Sequence, residues 1–178
     1  MKNSSLTKRL CRAGIIAALY ATLTYVFAPF AFGPFQIRPA EALCVLALIY
    51  PEAIPALTIG CALSNIFSPF AIYDVPIGSF VTLISTFISY LVGAKLKNTP
   101  LKIFLGGLSP VLLNTLVIPF VIVFLCGDTG GAISVWVAYF TYAGSFLLTQ
   151  SVWVYALGTP LYLSVLRLKN KGMRFLAD

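Results

Sequence analysis

The chain has no histidine, and only five of its 178 residues are acidic: Glu41, Glu52, Asp74, Asp128 and Asp178. Cys11, Cys44, Cys61 and Cys126 show no C-x-x-C spacing, so neither a metal site nor a disulfide is expected, and the thiols read as small buried apolar groups. An intramembrane enzyme would need a nucleophile with its base, or a metal, and no such motif is present. There is also no G-x-x-x-x-G-K-[ST] phosphate loop, so energy from nucleotide hydrolysis has to come from another chain. No cofactor is implied.

Polar surface is equally scarce. Only 10% of the residues are charged while 60% are hydrophobic, and mean hydropathy is +0.96. Such a chain cannot clothe a soluble globule, and it reads as one integral, all-α membrane domain over residues 1–178. The net charge of +7 does not point to nucleic acid, because the basic residues sit at helix ends rather than on one face.

A helix rising about 1.5 Å per residue needs roughly 20 apolar residues to cross a bilayer core of about 30 Å. Breakers and length predict six spans, near Leu10–Phe30, Pro39–Tyr50, Ala53–Ser68, Val75–Ala94, Leu101–Leu125 and Ser145–Leu166, with Pro51 and Glu52 as a turn. Lys2, Lys8, Arg9 and Arg12 precede the first span, Lys95, Lys97 and Lys102 join the fourth to the fifth, and Arg167, Lys169, Lys171 and Arg174 follow the sixth. Basic residues mark cytoplasmic loops. An even count of spans puts all of these inside with both termini, in a multi-pass protein of the plasma membrane. Ala132–Gly144 is then an outer loop or a short interfacial helix, which suits Trp136, Tyr139 and Tyr142 at headgroup level. The first apolar run exceeds the roughly 7 to 15 residues of a signal-peptide core and lacks a good cleavage site, so it is expected to stay.

Arg38 is the one basic residue left outside, in "FQIRPAEAL", beside Gln36 and Glu41. The span after it is too short to cross the membrane, so the connection Gly33–Arg38 should dip below the outer surface, with Pro39 in the first helical turn. Asn65, Asp74, Asn114 and Gln150 fall at similar depth in other spans. Ionisable groups at that depth cost several kcal/mol unless paired or hydrated, so the seven polar residues are the expected substrate site. Arg38 and Glu41 could also simply pair to hold a loop. Tyr73, Trp136, Tyr139 and Trp153 are candidate stacking partners for a flat ligand.

In "AGIIAALYA", Ala13, Ala17 and Ala21 recur every four residues beside Gly14 and Ala18. Such a smooth face lets helices approach closely in lipid, either a partner's or a neighbour's within the bundle. A self-sufficient secondary transporter should show repeated halves or broken helices around a midplane ion site, and no convincing repeat relates residues 1–90 to 91–178.

The runs "FGPFQIRPAEAL", "IYPEAIPALTIGCALSNIFSPF" and "YDVPIGSFVTLIST" resemble the QueT family of queuosine-precursor transporters, substrate-binding S components of energy-coupling factor (ECF) transporters. The similarity extends over most of the chain and is loosest at 128–144. It implies a six-helix S-component bundle with an outward-facing cavity. It further implies that the first helix, through Ala13, Ala17 and Ala21, docks on a transmembrane coupling subunit powered by two ATPase subunits. The implied ligand is a 7-deazaguanine, one form of which carries a cationic aminomethyl arm. Glu41 and Asp74 would supply acceptors for ring N–H groups and for the arm, with Gln36, Asn65, Asn114 and Gln150 as amides. Other flat, vitamin-like cations would fit the same inventory.

Overall fold

The structure, a computed structural model, describes residues 2–31 and 36–171, with side chains from residue 6 onward. The described residues are helices and short connections, without strands. In chain order the helices are α1 (Lys2–Val26), α2 (Ala28–Ala31), a 3-10 helix over Pro39–Leu48, α3 (Ala53–Asn65), α4 (Ala71–Tyr73), α5 (Ser79–Lys95), α6 (Thr99–Phe120), α7 (Val135–Ser151) and α8 (Gly158–Asn170). Three π-helical segments, Asp74–Gly78, Val121–Leu125 and Val152–Leu157, fuse these into longer rods. Each lies within three residues of a proline, at Pro76, Pro119 or Pro160. A proline ring displaces the carbonyl four residues back, and a wider turn nearby absorbs the displacement.

Two rods, Ala71–Lys95 and Thr99–Leu125, are long and apolar enough to cross a membrane. The burial pattern agrees with an apolar solvent: Ile72, Phe80 and Leu148 are exposed, while Glu41, Asn65, Asp74 and Gln150 are sealed inside.

Pro39–Leu48 is the hub, and all ten of its residues are buried. A 3-10 helix repeats every three residues, so side chains at i and i+3 eclipse. Ala40, Leu43 and Leu46 accordingly face one apolar cluster with Ile16, Tyr20, Ala56 and Leu57. Val45 and Leu48 face another with Ile103, Val111, Val154 and Tyr162. Glu41 and Cys44 share the third face. Neighbouring backbones come close to this narrow rod: a Cβ at Gly158 would lie 2.7 Å from Val45 Cγ1, and one at Gly93 would collide with the Leu48 carbonyl.

Helices α5 and α6 are joined by polar contacts. Pro110 cannot donate to the Gly106 carbonyl, and Ser89 Oγ of the neighbouring helix does so instead at 2.7 Å. Ser109 Oγ returns a bond of 2.8 Å to the Ser85 carbonyl. At the end of the bundle holding Glu52, Arg12 pairs with that carboxylate at 2.6 Å and lies over the Tyr50 ring, which also faces Lys169.

Several predicted boundaries shift. The largest change is at the last rod, which begins at Val135 rather than Ser145 and runs unbroken to Asn170. Val135–Gly144 is therefore its first turns, capped by the Ser134 hydroxyl, and not a separate loop or helix. The first span starts earlier and breaks at Phe27, the third ends at Asn65, and the fourth opens at Ala71. The expected second span is 3-10 rather than α, and at about 2.0 Å per residue it reaches about 20 Å in ten residues.

Candidate functional site

Glu41 lies one turn into the hub helix, set by Pro39 at its start. Its carboxylate is 2% exposed. Tyr20 Oη of α1 donates to Oε1 at 2.6 Å, and Asn114 Nδ2 of α6 and Cys44 Sγ approach Oε2, each at 3.4 Å. Three elements, α1, the hub helix and α6, thus converge on one charge. Arg38 is buried beside it, and its Nε donates to the Ala31 carbonyl at 3.1 Å, tying the connection back to α2. A second tie runs from Ile37 N to the Phe30 carbonyl at 2.9 Å.

Gln36 has φ +47, a left-handed backbone that costs a side-chain-bearing residue energy and that clusters at functional sites. It is nonetheless buried, and its Oε1 has no hydrogen-bond partner among the described residues. The expected connection Gly33–Arg38 is described only from Gln36 onward; its earlier part lies outside the described residues.

Asp74 opens the π-helical segment before α5 and is 5% exposed. Ser68 Oγ donates to its Oδ2, and Asn65 Nδ2 donates to its backbone carbonyl at 2.9 Å. Asn65 sits so close to the start of α5 that a Cβ on Gly78 would fall 2.7 Å from Nδ2. Gln150 is 1% exposed and sits just before the Val152–Leu157 π-segment. Among the described residues, Asn65 Oδ1, Asp74 Oδ1 and Gln150 Oε1 are buried without partners, as is Thr115 Oγ1, next to Asn114 in sequence.

All seven sequence-predicted residues are therefore buried. Direct hydrogen bonds join Glu41 to Asn114 and Asn65 to Asp74. Sequence reasoning missed Tyr20, Cys44, Ser68 and Thr115. A buried phenol needs a partner, but nothing in the sequence separates buried Tyr20 from exposed Tyr25 on the same helix.

The stacking candidates lie elsewhere. Trp136 is 63% exposed and packs with Phe124 and Tyr139 on the bundle's outside, while Tyr73 is exposed and Trp153 half-buried. Ala13, Ala17 and Ala21 are half-buried along α1, and Gly60 of α3 packs against Ala17, where a Cβ would lie 3.0 Å from the Ala17 carbonyl oxygen. Gly14 and Ala18 on the adjoining strip are exposed. Beside Ala21, a groove of about 440 Å³ runs between α1 and α3, lined by Tyr25, Leu63 and Phe67 among others. A cavity of about 370 Å³ lies between residues 129–132 and α7, lined by Tyr142 and Ser145.

Helices with apolar exteriors around buried polar groups are the make-up of a membrane protein. The chain belongs to the QueT transporter family, whose model matches residues 10–167. It is 35% identical over 100 residues to the queuosine precursor transporter QueT of Lactococcus lactis subsp. cremoris (strain MG1363). That alignment covers 55% of this chain and 58% of the relative, less than two thirds of the relative's length. No solved structure matches the chain.

Proposed function

We propose that the protein is the substrate-binding membrane subunit of an importer for a queuosine precursor. The observation that carries this reading is the set of buried oxygens without partners among the described residues, on Gln36 in the connection before the hub, Asn65 of α3, Asp74 of the π-segment and Gln150 of α7. Leaving such groups unpaired costs about 1–3 kcal/mol each, so a bundle that does so is arranged for something that completes the bonds. A 7-deazaguanine, rich in N–H donors along one edge, has the matching chemistry.

In this reading the chain crosses the plasma membrane six times with both termini in the cytoplasm, because that arrangement gathers the basic helix ends on one side. The short hub is carried through the bilayer inside a jacket of longer helices. The ligand enters from outside, and the cavity near Tyr142 serves as its vestibule. Lacking a phosphate loop, the chain relies on an ECF module, a transmembrane coupling subunit with two ATPase subunits, for energy. Ala13, Ala17 and Ala21, with the exposed Gly14 and Ala18, form the docking strip.

Mass spectrometry of small molecules released on denaturing the purified protein tests the assignment. A 7-deazaguanine is expected. Another flat, vitamin-like compound would overturn the substrate but keep the binding role, and uptake by the isolated chain in liposomes without ATPase partners would replace it with a secondary transporter.

A further inference from the structure

We propose that Asp74 and Asn65 form a receptor for a primary ammonium group, so that the protein selects the amine-bearing form of its ligand over neutral forms. This inference rests on the queuosine-precursor reading and adds to it the charge of the substrate and the residues that read that charge.

The local hydrogen-bond inventory carries it. Ser68 Oγ spends its proton on Asp74 Oδ2 and accepts from Phe70 N at 3.1 Å. Asn65 Nδ2 points at the Asp74 carbonyl and toward Cys61 Sγ, at 2.9 and 3.4 Å. A carbonyl requires a donor, so the amide orientation is fixed and Oδ1 is the atom left over. The free valences of the node are then Asn65 Oδ1 and Asp74 Oδ1, two buried acceptors without a hydrogen-bond donor among the described residues. An ammonium has three donors and no acceptor, so it can serve both oxygens without stranding a lone pair, and unlike a neutral ring N–H edge it also brings a positive charge to the carboxylate.

Charge points the same way. A carboxylate 5% exposed among apolar helices needs a counter-charge. Among the described residues no lysine or arginine is ion-paired with Asp74; the described ion pair, Arg12 with Glu52, involves neither Asp74 nor its neighbours. Glu41, by contrast, already receives Tyr20, Asn114 and Cys44, and Arg38 lies nearby. Of the two acids in the site, Asp74 is the one left for a ligand cation.

Calorimetric titration of the purified full chain with 7-aminomethyl-7-deazaguanine and its 7-methyl analogue tests the inference. The wild type should bind the amine about 10- to 100-fold more tightly, the worth of a buried charge-assisted bond. Asp74→Asn should lower the affinity for the amine about 10- to 100-fold more than that for the methyl compound, so that the preference disappears, and a circular dichroism spectrum like that of the wild type reports an intact fold. Gly78→Ala, which displaces the Asn65 amide without altering charge, should lose part of the same discrimination. Equal wild-type affinities, or discrimination that survives Asp74→Asn, would overturn the ammonium site alone. Binding of neither compound would overturn the precursor reading and this inference with it.

Discussion

The hydroxyl of Tyr20 donates to Glu41 Oε1 across 2.6 Å, joining the first helix to the hub at the centre of the bundle. One side of α1 thereby reads the site carboxylate while the adjoining side carries the alanine strip. Glu41→Gln replaces an acceptor with a donor facing Tyr20, Asn114 or the ligand, and should weaken precursor binding by about 2–4 kcal/mol. Tyr20→Phe should cost less, about 1–2 kcal/mol, and the double variant should fall short of the sum because both changes break one bond. Calorimetry on the three variants checks this; additive losses would mean the hydrogen bond does not couple the residues.

Arg38→Ala removes the tie to the Ala31 carbonyl. Binding should weaken and the connection ahead of Pro39 should become more sensitive to protease, ligand restoring less protection than in the wild type. Proteolysis equal to that of the wild type, with and without ligand, would mean that the Arg38 tie does not order this connection.

At the other end of the bundle, the Arg12–Glu52 pair is nearly closed to solvent, at 4% and 10% exposure. Glu52→Gln removes the carboxylate paired with buried Arg12 and should lower stability by about 3 kcal/mol. Ligand affinity, measured where the protein is still folded, should hold. A melting temperature equal to that of the wild type would refute the estimate.

The polar site was legible because lipid makes each buried amide or carboxylate expensive, so Glu41, Asn65, Asp74, Asn114 and Gln150 stand out against an apolar background. What surrounds them was not. Tyr20 is one of nine tyrosines and looks like packing until its hydroxyl is placed. The 3-10 form of Pro39–Leu48 leaves no mark in a run where almost every residue is apolar, since a period of 3.0 can be told from 3.6 only by contrast between faces. The early start of α7 was hidden for the same reason: "VWVAYF" carries no charge, so nothing in it fixes its depth.

Ala18→Trp places a bulky ring on the exposed strip of α1 and should abolish co-purification with an ECF coupling subunit while the isolated protein binds precursor normally. Ala17→Trp should do the same and also lower stability, because Ala17 lies against Gly60. Normal complex yield from Ala18→Trp would move the docking surface elsewhere.

Thiol labelling can test the proposed sidedness. Cys126 follows the Val121–Leu125 segment, and its partial burial, with the negative charges of Asp74 and Asp128, pushes its thiol up. The thiolate is the reactive form, so labelling by an impermeant maleimide on intact cells should be slow at neutral pH and rise about tenfold per pH unit. Exposed Cys11 should react only after permeabilisation. The reverse order would invert the topology.

Mutational tolerance follows from the hub. Pro39–Leu48 reads as an ordinary apolar string, the kind of stretch in which one aliphatic residue usually replaces another at little cost. Here every position is enclosed, and Gly93 and Gly158 leave no slack around Leu48 and Val45. A saturation scan should therefore find the narrowest range of accepted residues where the chemistry looks most generic, and the widest on the bilayer-facing flanks of α1 and α5.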